Sequence, residues 1–313
     1  MKQLSSRLRS ISMPRFLSVC LNPTFQRTIS LKQLERGEVN RATEAQLDIA
    51  GKGVNTTRIL SQLGAEVRHL THLGPGKELL LKLCEEEGLK LVWPDSDSQI
   101  RTCITILDEE TRSTTEIVEP TEAVSETTVN EIRDLYGKEL HLADWIILSG
   151  SKAPGYPSNI FAEFSQIAHD SGKKVVADYR GEELIASLDT DLAAVKINLT
   201  EFVSTFLPGI PVSEGYDSDA IELVGEKMRE LSSTGCDYII TRGSREVLFS
   251  RKGQLETITP PVVKPRNSIG SGDAFCAGMV FKMANGASLE DAVREGARCG
   301  AVNATFLKPG TLK

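Results

Sequence analysis

Trp145-Ile146-Ile147-Leu148 is an unbroken apolar run. A strand with one wet face alternates polar and apolar residues, so a continuous run marks a strand covered on both faces. Lys174–Ala177, Ala193–Ile197 and Tyr238–Thr241 repeat the pattern, and Phe16–Leu21 supplies a short apolar strand near the start. Helical spacings lie between them. Val54–Leu63 predicts a helix ended by Gly64, and Lys77–Glu87 one closed by Gly88, with strand Val67–Leu70 in between. Strands alternating with helices predict an α/β fold of three layers, a mostly parallel central sheet with helices packed on both sides.

Two regions break this rhythm. Arg101–Leu107 and Ser113–Val118 are rich in β-formers and joined by Asp108-Glu109-Glu110-Thr111-Arg112, which predicts an antiparallel hairpin; Thr28–Leu31 and Thr43–Ile49 also read as extended. Together they predict a small separate sheet, with lid segments near residues 26–50 and 99–119. A small exposed sheet has edges and an apolar face to cover, so it is a candidate lid or homodimer contact.

The 313 residues suit one large α/β domain over 16–313, and 40% hydrophobic with 25% charged content is that of a globular protein. The net charge of −7 argues against nucleic acid as the main partner. No apolar run reaches the ~18 residues of a membrane span. The six cysteines show no CxxC spacing and read as reduced thiols of a cytoplasmic protein. His69 and His72 resemble an HxxH pair, but residues three apart on a strand point to opposite faces, which speaks against a metal. Residues 1–15 are Ser- and Arg-rich without an acid, and read as a disordered extension in preference to a targeting segment.

The strongest chemical signal is Asn267-Ser268-Ile269-Gly270-Ser271-Gly272-Asp273, followed by the small apolar run Ala274-Phe275-Cys276-Ala277-Gly278. A glycine-rich turn entering a buried helix offers free N–H groups and the positive end of a helix dipole, which suits a phosphate. Asp273, in the first turn, is placed to take a proton from an attacking hydroxyl while the amides of Gly270, Ser271 and Gly272 stabilise the transferring group. The plain alternative is a first-turn acid that only favours the helix. Neither GxxxxGK[ST] nor a GxGxxG after the first strand is present, which disfavours a P-loop enzyme and a nicotinamide dehydrogenase.

A second signal, Gly51-Lys52-Gly53-Val54-Asn55, again sets glycines before a helix, now with a cation and an amide able to bind a sugar or its phosphate; the alternative is a helix start with a solvated Lys52. A third, Lys196-Ile197-Asn198-Leu199-Thr200-Glu201, ends a strand where α/β proteins place their sites. Asn198 and Glu201 can hold a hydrated Mg2+ near phosphates, or Asn198 can simply cap a helix.

In their order along the chain these segments resemble the PfkB/ribokinase family of carbohydrate kinases, and within it the 1-phosphofructokinase and tagatose-6-phosphate kinase group. The resemblance runs from about Phe16 to Thr311. Leu21-Asn22-Pro23 is similar to the group's opening motif and Gly51–Asn55 to its sugar-binding motif. Ser149-Gly150-Ser151 with Pro154-Gly155 is similar to a substrate-side loop, and Gly181-Glu182, Lys196, Asn198 and Glu201 follow in order. Thr241 with Gly243 resembles the nucleotide loop, Gly270–Asp273 the anion hole and base, and Pro309-Gly310-Thr311 the closing motif.

The resemblance implies a ribokinase-like sandwich with a β lid, often dimeric through that lid, using ATP and Mg2+. It implies substrate binding by Asn22, Gln26, Gly51, Lys52, Asn55, Arg101, Ser151 and Lys152. It implies nucleotide binding by Lys196, Asn198, Thr241, Gly243 and Asn303, and a metal at Glu201 and Asn198. The chain departs from the pattern at four places. Gln26 stands where a substrate-gripping Asp is usual, and the lid motif Arg-x-Asn-x-Lys is reduced to Arg101, Cys103 and Thr105. Glu246 replaces a nucleotide-loop Gly, and Lys152 stands where an apolar residue is usual, a cation that could replace the lost lid Lys from another direction. The expected activity is ATP-dependent phosphorylation of a ketohexose phosphate. The alternatives are an unphosphorylated sugar or nucleoside as acceptor, or a regulator that binds without turnover.

Overall fold

The computed structural model describes residues 13–210 and 218–313. Most of the expected N-terminal extension, residues 1–12, lies outside the described residues, and Arg15 already belongs to the first strand. The chain runs β1 (Arg15–Val19), β2 (Thr24–Leu31), β3 (Glu44–Ala50), α1 (Lys52–Gln62), β4 (Glu66–Leu70), α2 (Lys77–Glu86) and β5 (Leu91–Val92). It continues with β6 (Arg101–Asp108), β7 (Ser113–Val118), α3 (Glu126–Leu140), β8 (Trp145–Ser149), α4 (Ile160–Asp170), β9 (Lys174–Asp178), α5 (Glu182–Ser187) and β10 (Ala194–Asn198). The last third holds α6 (Leu199–Phe206), α7 (Ser218–Ser232), β11 (Asp237–Thr241), β12 (Val247–Arg251), β13 (Gln254–Ile258), α8 (Ser271–Ala284) and α9 (Leu289–Ala304).

The main sheet has the order β13-β12-β11-β10-β9-β8-β1-β4-β5. It is parallel from β5 to β11, and β12 and β13 add an antiparallel edge that the sequence reading did not anticipate. The apolar runs are apolar because both faces are covered. Along successive strands Leu17, Ile146, Leu148, Val175, Ala177, Val195 and Ile197 enter the core formed with α3 to α7. Their neighbours Phe16, Ile147, Val176 and Ala194 enter the opposite core, formed with α1, α8 and α9. Period-two alternation sends the same strand into two cores, so no polar face survives in the sequence.

β3-β2-β6-β7 form the separate small sheet. β6 and β7 pair antiparallel, as their composition predicts, whereas β2 joins β6 in parallel and β3 antiparallel. One face of this sheet meets α2 in a third cluster containing Phe25, Ile49, Leu80 and Ile100. Edge strand β7 is exposed throughout, including Ile117 and Val118. Among the described residues no helix is long and apolar enough to cross a membrane.

Candidate active site

The parallel strands deliver their C-terminal ends to one edge of the main sheet, where the turns after β1, β8, β9, β10 and β11 gather. Two helices begin there behind glycines with positive φ: α1 after Gly51 (φ 98°) and α8 after Gly270 (φ 77°). Neither helix start is capped by a side chain, so first-turn N–H groups remain for an anion. The Ser271 amide closes a turn on the Ser268 carbonyl at 3.1 Å, which leaves Gly272 and Asp273 as the donors of the expected anion-binding loop. Gly270 is demanded twice over. Its backbone is left-handed, and a Cβ would sit 2.9 Å from Pro309 Cβ and 3.2 Å from Asn55 Nδ2.

Asp273 is only 7% exposed, and its Oδ2 accepts from Asn55 Nδ2 at 2.8 Å. Burial and then the negative charge of Asp178 push its carboxyl up; Lys52, Asn55 and Lys196 oppose this without cancelling it. Asp178, the last residue of β9, is fully buried and lies between two cations. Its Oδ1 is 2.8 Å from Lys52 Nζ, and its Oδ2 is 3.3 Å from Lys196 Nζ. Burial alone would raise Asp178, but Lys196 and Lys52 outweigh it and hold this carboxyl below the ordinary carboxylate range. Burial likewise favours neutral Lys52, yet Asp178, Glu201 and Asp273 keep it charged with a raised pKa. A Cβ on Gly272 would stand 3.0 Å from Lys196 Nζ, so that glycine lets the ammonium approach the loop.

Asn198 and Glu201 form a capping box at the start of α6, with Asn198 Oδ1 accepting from the Glu201 amide at 2.8 Å and Glu201 Oε2 from the Asn198 amide at 3.0 Å. The capping alternative is therefore realised, while Glu201 Oε1 reaches out to Lys52 Nζ at 3.3 Å. Thr241 lies beside Asn198 in register at the end of β11, and exposed Gly243 (φ 60°) follows. Asn303 is fully buried. Its amide donates to the Ile269 carbonyl and Ser271 Oγ and accepts from the Gly310 and Thr311 amides, tying the Gly270 loop to the C-terminal turn.

On the other side of the edge, Asn22 donates to Ser151 Oγ at 3.1 Å. Lys152 is bonded to Glu183, and this pair lines a cleft of ≈ 590 Å3 together with Lys52, Ser151, Arg180 and Glu201. In the small sheet, two departures from the pattern that the sequence resembles prove to be partners: Gln26 Nε2 donates to Thr105 Oγ1 at 2.7 Å, both side chains buried. Arg101 is half-buried, and its Nε has no hydrogen-bond partner among the described residues. The two histidines are used elsewhere, His69 on the Ser18 carbonyl and His72 on the Tyr156 hydroxyl, and burial pushes both down to about 4.

Lys52, Asn55, Lys196, Glu201 and Gly270–Asp273 thus lie together at one edge of the main sheet, while Gln26 and Arg101 sit on the small sheet. Sequence reasoning missed Asp178, the carboxylate that joins two of these motifs. A signal existed: an acid directly after the apolar run Lys174–Ala177, at the strand end where α/β sites form. Glu183 was missed as the partner of Lys152; on an amphipathic helix start it reads as an ordinary first-turn acid.

A family model described as pfkB family carbohydrate kinase matches residues 21–311. Among curated proteins the chain is similar to a 1-phosphofructokinase of Xanthomonas campestris pv. campestris, 26% identical over 281 residues that cover 89% of this chain and 87% of that protein. Among solved structures it resembles a possible 1-phosphofructokinase from Thermotoga maritima, with TM-score 0.82, 22% identity, and coverage of 94% of this chain and 93% of that one. It also resembles phosphofructokinase-2 from Escherichia coli in complex with substrates and products, with TM-score 0.81, 21% identity and 93% coverage of both chains.

Proposed function

The chain belongs to the pfkB family of carbohydrate kinases, phosphotransferases with an alcohol acceptor, and we propose that it uses ATP to phosphorylate a ketohexose phosphate with Asp273 as general base. The observation that carries this reading is a buried carboxylate of raised pKa in the first turn of α8, immediately behind a glycine loop with open amides. Such a carboxylate takes the proton of the acceptor hydroxyl as the oxygen attacks phosphorus. The Gly272 and Asp273 amides, with the α8 dipole, stabilise the charge on the transferring group. Lys196, held by Asp178 beside Gly272, adds a cation on the same side, and Lys52 places a second one toward the cleft.

The nucleotide is assigned to the side of Asn198, Thr241 and Gly243, with Asn303 holding the loop beneath it. The donors for Mg2+ are hard oxygens, which fit the ion. Both Glu201 oxygens already accept bonds, and no cluster of three metal-ligating side chains occurs among the described residues, so Glu201 and Asn198 fit a hydrated ion held through its waters. When bound, Mg2+ neutralises phosphate charge.

The acceptor is assigned to Asn22, Gln26, Gly51, Lys52, Asn55, Arg101, Ser151 and Lys152, enclosed by the lid sheet. Curated similarity to a 1-phosphofructokinase favours a phosphorylated ketohexose such as fructose-1-phosphate or tagatose-6-phosphate. One observation favours a second reading, an unphosphorylated acceptor: the Gln26–Thr105 pair is neutral where the family pattern has two charges. An assay with ATP, Mg2+ and a panel of free and phosphorylated ketohexoses separates the two. Turnover confined to phosphorylated sugars supports the first reading, turnover confined to free sugars the second, and no turnover with any acceptor would sink both.

A further inference from the structure

Arg58 lies three residues beyond Asn55 on the same face of α1, and only 3% of it is exposed. Its guanidinium is held bidentately by Glu87 at the end of α2, with Nη2 2.8 Å from Oε1 and Nε on the other oxygen. Glu87 is itself fixed by Lys308 at 2.8 Å; burial would raise its carboxyl, but Arg58 and Lys308 outweigh burial and hold it low. The remaining nitrogen, Nη1, points back along the helix to Asn55 Oδ1 at 3.3 Å and to the Pro309 carbonyl at 3.4 Å. Asn55 Nδ2 is the group that donates to Asp273.

We propose that Arg58 is a positioning residue for the catalytic carboxylate: anchored on Glu87, it fixes the orientation of the Asn55 amide so that nitrogen, not oxygen, meets Asp273. An amide has two orientations of nearly equal shape, and its neighbours choose between them. The reversed amide would set Oδ1 against the Asp273 carboxylate and Nδ2 against a guanidinium N–H, two repulsions at once. With Arg58 in place one orientation survives. The closing turn packs on the same pair, since a Cβ on Gly310 would stand 3.0 Å from Arg58 Cδ and 3.3 Å from Asn55 Oδ1.

The effect on chemistry follows from the surroundings of Asp273. It is faced by Lys52 and Asn55 on α1, Asp178 on β9, Lys196 on β10, Cys276 on its own helix, Cys20 after β1, and Glu116 on β7. Burial and Asp178 favour the protonated acid, which cannot act as a base. Donation by Asn55 favours the carboxylate, so a freely turning amide removes part of that support and the titration of Asp273 moves to higher pH.

The inference rests on Asp273 being the base, so its test has one arm that does not depend on catalysis. The side-chain amide of Asn55, observed by NMR in selectively labelled full-length protein, should report the titration of Asp273. In Arg58→Lys its midpoint should move to higher pH. The kcat should fall roughly 10-fold or more through misplacement of the reacting group, with KM for ATP and acceptor little changed, and the acid limb of the kcat profile should shift upward. The kcat loss should disappear when Arg58→Lys is added to Asn55→Ala, because the lost interaction is shared. Glu87→Gln should produce a smaller change in the same direction and serves if Arg58→Lys does not fold. An unchanged amide midpoint in a folded variant overturns the positioning role, as do additive losses in the double variant. A moved midpoint with unaltered kcat supports the contact and counts against Asp273 as the base.

Discussion

Asn55 and Asp273 are 218 positions apart in the chain, yet the amide of one donates to the carboxylate of the other at 2.8 Å. The contact ties the start of α1 to the start of α8, the two helices whose glycine-led N-termini face the same edge of the sheet. It also offsets part of the cost of a buried carboxylate, which burial and Asp178 push toward the protonated form.

The acid limb of the kcat profile should therefore lie above the ordinary carboxylate range. The same shift fixes the sign of a stability effect. A carboxyl whose folded pKa is raised stabilises the fold most below its unfolded value of 3.8, and that contribution is lost as pH rises through the folded pKa. At neutral pH, above the unfolded value, the buried Asp273 carboxyl thus weighs against folding. Asp273→Asn should raise Tm at pH 7 and lose this advantage at acid pH, as measured by calorimetry across pH; a lower Tm at neutral pH contradicts the raised carboxyl.

Asp178 should behave in the opposite way. Its folded pKa is depressed, so its contribution is present above 3.8 and fades as pH falls through the folded value. Removing it leaves Lys196, 2% exposed, without its anion. Asp178→Ala should cost about 3–5 kcal/mol in urea unfolding at pH 7, with a smaller difference from the native protein at acid pH. A difference that does not shrink at acid pH rules out the ion pairs as its source.

Two glycines of the loop should respond differently to one methyl group. At Gly270 the left-handed backbone and the Pro309 contact make Gly270→Ala cost roughly 1 kcal/mol or more in stability. At Gly272 the close atom is the tip of a long side chain, Lys196, which has to give by only a few tenths of an ångström, so Gly272→Ala should cost less stability than Gly270→Ala and lose activity by shifting the ammonium. Urea melts and kcat on the same two variants decide this; equal stability losses would refute the distinction.

Much of the architecture was legible because burial dictates composition. The apolar runs at Trp145–Leu148 and Lys174–Ala177 carry the mark of strands covered on both faces, and the Thr-rich pair Arg101–Leu107 and Ser113–Val118 stood out from them as a hairpin of a separate sheet. The parallel pairing of β2 with β6 was not legible, since alternation along a strand is the same for either direction of its neighbour. The hairpin of β12 and β13 carries no glycine-rich two-residue turn beyond Lys252-Gly253, and its exposed strand Gln254–Ile258 lacks an apolar run. In the site, motif glycines and polar residues advertise themselves, whereas Asp178, Arg58 and Glu183 depend on partners remote in sequence. Gln26 and Thr105 read as two separate losses until the fold placed them in contact.

Lys152 and Glu183 should act in opposite directions on a phosphorylated acceptor. Their pairing in the cleft restrains the ammonium, and a point-charge contact to phosphate is worth on the order of 1–3 kcal/mol. Lys152→Ala should raise KM for a sugar phosphate ~10-fold or more with ATP KM unaffected, and Glu183→Gln should lower it. Steady-state kinetics with both substrates checks this; an unchanged KM for every sugar phosphate would remove Lys152 from the acceptor site.

The role proposed for Asp273 is to remove the acceptor's proton from its place behind the Gly270–Gly272 loop. Its most direct test is the kcat of Asp273→Asn with ATP, Mg2+ and the acceptor that the native enzyme turns over best. If Asp273 is the base, kcat should fall by at least ~10²-fold with the KM for ATP close to native, since Asn keeps the shape but cannot take the proton. Turnover within a few-fold of the native enzyme would contradict it.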